Sequence, residues 1–137
     1  MTRMLLKRKI AIRAIVTEDF KQRLIARLEG ALEELAKAQQ DLDVQGKRYL
    51  SELQQKEPAK ANEFARRLER QRHKNEEIRV RLTQELSQAR SLSIGAECLY
   101  GKVEGLVEIS VGDNLTEKMR SAEIVIKDDV IIEMRNC

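Results

Sequence analysis

Arg66, Arg67, Arg70, Arg72 and Lys74 crowd one stretch of the chain, with Glu69 the one acid among them. Lys47, Arg48, Lys56 and Lys60 come shortly before, so residues 44–74 hold nine Lys and Arg against four Glu. Positive charge at that density attracts phosphates, and arginine adds a planar fork of donors that fits phosphate oxygens two at a time. Lys47, Arg48, Lys60, Arg66, Arg67, Arg70, Arg72 and Lys74 are therefore the candidate nucleic-acid contacts. The same residue types also suit a solvated helix face, with Glu63 paired to Arg67 and Glu69 to its arginine neighbours three or four positions away. Aromatic residues interleave poorly with the bases, because Tyr49 and Phe64 fall at seam positions.

Other chemistry is sparse. The single histidine, His73, has Glu69 and Glu77 at helical spacing and no cysteine or aspartate near it, which reads as exposed helix surface. Cys98 and Cys137 lie too far apart in sequence for a C-x-x-C site and read as free thiols of a reducing compartment. No Ser/His/Asp, Cys/His or paired-carboxylate arrangement can be assembled, and the glycines at 95, 101, 105 and 112 do not form a phosphate loop ahead of a helix. The chain is expected to be non-enzymatic, with no cofactor and no metal. A second basic run, Arg3, Lys7, Arg8, Lys9 and Arg13, fits an edge strand that lysine and arginine keep soluble.

The elements that must carry these residues show in the periodicity. Leu24, Leu28, Ala31, Leu35, Ala38 and Leu42 recur in steps of three and four, and so do Phe64, Leu68, Ile78, Leu82 and Ala89. Such spacing marks a narrow apolar seam along a helix. Pro58 lies between the two runs and suits the first turn of a helix, where its missing N–H has no acceptor to serve. The two helices are expected to fold back as an antiparallel coiled-coil hairpin over residues 17–91, turning near 55–58. Leu24, Leu28, Leu35, Leu42, Leu68, Ile78 and Leu82 form its seam, with Leu35 opposite Ile78, Leu28 near Leu86 and Gln45 near Gln71. Thr17 is a candidate N-cap, followed by Glu18 and Asp19 in the first turn.

Outside the helices the period is two. Ile10, Ile12, Ala14 and Val16 alternate with Lys9, Ala11 and Arg13, and residues 103–111, 122–126 and 130–134 alternate likewise, with a short further strand expected over 96–100. Asp128-Asp129 has the length of a tight hairpin turn. Residues 115–121 read either as an extended crossing or as one helical turn. The expected fold is α+β: a long helical hairpin inserted after the first strand of a small antiparallel β domain made of residues 1–16 and 92–137. Aromatic content of 3 % and charged content of 36 % fit exposed helices better than a large core. Residues 1–16 carry five bases and no acid, whereas residues 92–137 carry five bases and nine acids. No stretch reaches the ~20 apolar residues of a membrane span, and no secretory leader is legible, so the expected setting is cytoplasmic.

Ile94-Gly95-Ala96-Glu97, then Leu106-Val107-Glu108-Ile109 closing on Gly112-Asp113, then Ile124-Val125-Ile126-Lys127-Asp128 and Val130-Ile131-Ile132-Glu133-Met134-Arg135, resemble the YlqD-like family of bacterial proteins. The strand running into Val16-Thr17-Glu18 is similar too. The resemblance implies a small cytoplasmic bacterial protein with strand–hairpin–strands order, and it carries no catalytic residues. It also implies relatives encoded among genes for ribosomal and RNA-maturation proteins. Two functions follow as expectations: contact with structured or ribosomal RNA through the basic end of the hairpin, or a protein-assembly or chaperone-like arm that binds no nucleic acid. A homo-oligomer, a homodimer before a monomer, is expected and is compatible with either.

Overall fold

The structure is a computed structural model and describes residues 2–135, so Cys137 lies outside the described residues. Seven elements follow one another: β1 (Arg3–Ile15), α1 (Glu18–Lys56), α2 (Pro58–Arg90), β2 (Glu97–Ser110), α3 (Leu115–Lys118), β3 (Ala122–Lys127) and β4 (Val130–Arg135). Two compact units result, one running up to Lys21 and resuming at Leu92, the other spanning Gln22–Ser91. The first turn of α1 thus groups with the strands. There Phe20 meets Tyr100 with ring centroids 6.2 Å apart, and the Lys21 ammonium donates to the Leu92 carbonyl at 2.9 Å.

The strands form one sheet in the order β2-β1-β3-β4. β1 pairs antiparallel with β2, from Arg3 opposite Ser110 to Ile15 opposite Glu97. β3 pairs antiparallel with β4. Between β1 and β3 the pairing is parallel, with Ile10 beside Ala122 and Ala14 beside Ile126. The sheet is therefore mixed, where a wholly antiparallel one was expected. The connection after β2 passes β1 before β3 begins, so β3 reverses β2 and takes the direction of β1. That connection contains the α3 turn, whose first N–H groups need a partner; the Asn114 side chain supplies it by accepting from the Glu117 N–H at 3.1 Å. Residues 97–110 make one continuous strand, and the separate short strand expected near 96–100 is its beginning. Its register shifts opposite Ile12/Arg13, so Tyr100 has no counterpart on β1.

β1 is the hub of the sheet and not an edge. Three of its bases are engaged within the fold, Arg3 with Glu108 at 3.2 Å, Arg13 with Glu123 at 3.3 Å and Arg8 as donor to the Lys118 carbonyl at 3.4 Å, whereas Lys7 and Lys9 are exposed. Ala14, Val16, Ala122 and Val125 are the buried residues among those described in this unit. Thr17 caps α1 as expected. Its hydroxyl oxygen accepts from the Phe20 N–H at 3.1 Å and its hydroxyl donates to Asp128 at 2.7 Å, tying the helix start to the β3–β4 turn. Both turn residues, Asp128 and Asp129, sit in the left-handed region at φ 47° and 68°, as a type I′ hairpin requires.

One ionic network touches all four strands. Arg135 on β4 forks onto Glu97 on β2 at 2.7 and 3.1 Å. It also meets Glu133 at 3.0 Å and Glu123 on β3 at 3.5 Å, the carboxylate that Arg13 of β1 contacts. The Arg135 hydrogen bond holds the Glu97 carboxyl below its ordinary 4.5. A carboxylate depressed in the folded state adds stability above its unfolded value, and loses it as pH falls through the lower folded value. We therefore predict that the stability gap between the parent and Glu97→Gln, read from urea midpoints, is full at pH 6 and closes below about pH 4.5. A gap that stays constant to pH 3 would mean that Glu97 acts by packing rather than by charge.

Candidate nucleic-acid interface on the helical hairpin

At ~1.5 Å per residue, the 39 residues of α1 and 33 of α2 extend roughly 58 and 50 Å. A single residue, Glu57, separates them, and Pro58 opens α2 without sacrificing a hydrogen bond. At the open end of the hairpin, Leu28, Leu86 and Ala89 are buried, with Leu24, Ile25, Leu32 and Leu82 packed on them. Leu35, Leu42, Leu68 and Ile78 are half-buried further along, so the expected seam residues all lie on the covered sides of the helices.

Midway the seam turns polar. The Asn75 amide donates to Gln39 at 2.8 Å and Gln71 donates to Asn75 at 3.0 Å. Asp43 accepts from Gln39 at 3.1 Å and from the Arg72 Nε at 2.8 Å, and a second Arg72 nitrogen stands 2.7 Å from it. Arg72 is thus half-buried and bonded across the hairpin. It does not join the outward-facing bases, contrary to the expectation from charge density. Asp43 was missed as its partner, although folding the chain about residue 57 sets the two almost level.

Beyond the polar layer, Gly46 is buried against Leu68: a Cβ at Gly46 would stand 2.7 Å from Leu68 Cδ2. Tyr49 and Phe64 follow, their rings edge to face with centroids 4.8 Å apart at 81°. Gly46 with Leu68, and Gln39 with Asn75, share one register in which residue numbers sum to 114. The same register puts Lys47 and Arg48 level with Arg67 and Arg66. At 100° per residue Arg48 faces away from the seam on α1 and Arg66 and Arg70 face away from it on α2, while Lys74, seven residues on from Arg67, lies on the same side of α2 as Arg67. Lys60 and Arg67 lie on a flank with Tyr49. The seven remaining candidates are all exposed and form a collar around the loop end rather than one stripe.

Part of the collar is paired locally. Lys60 meets Glu57 at 3.1 Å and Arg67 meets Glu63 at 3.7 Å, both in solvent. Such exposed pairs hold about 0–1 kcal/mol and yield readily to a competing anion. Arg66, Arg70 and Lys74 make no ion pair among the described residues. His73 lies 3.0 Å from Glu77 on the exposed surface. Cys98 belongs to the sheet unit, half-buried and unbridged among the described residues, with its thiol pushed up by burial. No helix among the described residues is long and apolar enough to cross a membrane.

Comparison with known proteins gives a consistent answer. The profile of a family described as YlqD protein matches residues 4–135. The chain is 27 % identical over 127 residues to the "Uncharacterized protein YlqD" of Bacillus subtilis (strain 168), covering 93 % of this chain and 94 % of that one. A crystal structure of a protein of unknown function from Synechococcus sp. WH 8102 superposes with a TM-score of 0.87 at 25 % identity, covering 98 % of this chain and 95 % of the other.

The two kinds of arginine separate in a stability measurement. Arg72→Ala removes the cross-hairpin partner of Asp43 and is expected to destabilise by about 1 kcal/mol, whereas Arg70→Ala leaves the melting temperature unchanged. Equal effects of the two substitutions would contradict the assignment.

Proposed function

The chain belongs to the YlqD family, and on that footing we propose that it is a non-enzymatic binding protein that contacts structured RNA, with ribosomal RNA as the leading candidate. The observation that carries this reading is the outward basic collar, above all Arg66, Arg70 and Lys74. They recur every four residues, from the face of α2 turned away from the seam at Arg66 and Arg70 round to its flank at Lys74, so successive charges are displaced by about 6 Å along the helix axis. A row of unpaired cations on a rigid helix tracks a phosphate backbone with little loss of entropy beyond that of the side chains themselves. Arg48 and Lys47 extend the positive surface to α1, so the loop end can be approached from more than one side.

Binding of this kind weakens steeply with salt, because each neutralised phosphate releases condensed counterions. The test is co-sedimentation of the parent and of Arg66→Glu/Arg70→Glu/Lys74→Glu with ribosomal particles from the source organism at low and high salt. The parent is expected to co-sediment at low salt only. The triple variant, helical and folded by circular dichroism, is expected to lose at least tenfold in binding. Association that survives both high salt and charge reversal would overturn the reading.

A second reading, self-assembly, is favoured by a separate observation. β4 is a sheet edge whose Val130, Ile131, Ile132 and Met134 are 53–64 % exposed. An apolar edge with free ladder groups is a template for another strand, here that of a second copy. Ile132→Lys is expected to shift sedimentation-equilibrium mass from dimer to monomer. A parent that is already monomeric at high concentration would dismiss it.

A further inference from the structure

We propose that the groove around Tyr49 and Phe64 is a stacking platform for an unpaired nucleobase, with Arg67 and Lys60 placed for the adjoining phosphates. The proposal rests on the RNA reading above and narrows it to single-stranded or bulged RNA.

Three observations converge on this flank of the hairpin. First, the two rings meet edge to face, yet Tyr49 remains 51 % exposed, so a large part of an aromatic surface stays open to solvent. Second, that surface borders a groove of about 430 Å³, floored by Leu42 and Leu68 and edged by the amides of Gln45 and Gln71. A second hollow of about 300 Å³ adjoins it and also contacts Tyr49 and Phe64, with Lys60 on its rim. Third, Arg67 lines both hollows.

Each part matches a part of a nucleotide. Ring faces take a base by stacking, which tolerates any base identity. Side-chain amides suit the hydrogen-bonding edge of a base. Guanidinium and ammonium groups suit the phosphates. The acids nearby do not oppose this: Glu63 stands 3.7 Å from Arg67 and Glu57 3.1 Å from Lys60, exposed pairs that a phosphate can replace. A continuous A-form duplex keeps its bases stacked inside, so only a splayed base reaches the ring. An apolar peptide would use the floor of the groove and leave the basic rim without a role.

The chain has two tyrosines and no tryptophan, so Tyr100→Phe leaves Tyr49 as the sole tyrosine emitter and keeps a ring beside Phe20. In that background, a short oligoadenylate is expected to quench the tyrosine emission, and a blunt RNA duplex of equal length is not. Tyr49→Leu is expected to weaken oligoadenylate binding on the order of 5- to 100-fold with an unchanged salt slope, and Tyr49→Phe to bind like the parent. Should Tyr49→Leu fail to fold, the quenching and the strand-against-duplex comparison still decide. The platform is overturned if both RNAs bind equally without quenching and lose affinity only on reversing Arg66, Arg70 and Lys74; the basic-collar reading then stands. Absence of binding to either RNA and to ribosomal particles overturns both.

Discussion

The hydrogen-bonded layer of Gln39, Asp43, Arg72 and Asn75 sets the register of the helical hairpin, and the placement of every candidate contact follows from it. A seam of leucines spaced by threes and fours packs almost as well after sliding by a turn. A polar layer does not, because a shifted pairing leaves half-buried amides and an aspartate without partners, each costing up to about 1 kcal/mol at this exposure. Polar seam residues serve as register devices in coiled coils for this reason. Here the layer acts with the one-residue connection at Glu57. Together they bring Gly46 onto Leu68 and Tyr49 onto Phe64, and they set Lys47 and Arg48 at the level of Arg66 and Arg67.

The sheet obeys a constraint of its own. β1 is shared by an antiparallel and a parallel partner, so it must be long, and its arginines find acids on neighbouring strands or a carbonyl of α3. With four residues buried among the described residues of this unit, the apolar core is small. Cross-strand charges add to it: Arg135 gathers carboxylates from β2, β3 and β4, and Arg13 links β1 through Glu123. Thr17 then couples the first turn of α1 to the β3–β4 turn by serving as cap and hydroxyl donor at once.

Much of this was legible in the residues. The helix limits followed from Thr17 and Pro58, and the Asp128-Asp129 turn from its length. The covered sides of Leu28, Leu35 and Ile78 followed from periodicity. Two things were not legible. Strand periodicity reports which side chains share a face and says nothing of pairing direction, so the parallel β1–β3 ladder stayed hidden. Charge density likewise cannot separate a base that faces outward from one bonded inward. Arg72 differs from Arg70 by its angle around the helix and by the presence of Asp43 across the seam, and the second needs the register. The openness of Tyr49 was hidden for a similar reason: a seam position fixes where an aromatic ring begins, not how much of it is covered.

Recognition is proposed to lie at the loop end of the hairpin, which leaves the sheet for folding and self-association. Hydroxyl-radical footprinting of the full chain, with and without ribosomal particles from its own organism, tests that assignment side chain by side chain. The account predicts protection of Tyr49 and Phe64 on addition of particles, with Met4, Leu106 and Met134 of the sheet as reactive as before. Protection confined to Met4, Leu106 and Met134, with Tyr49 and Phe64 unchanged, would contradict it.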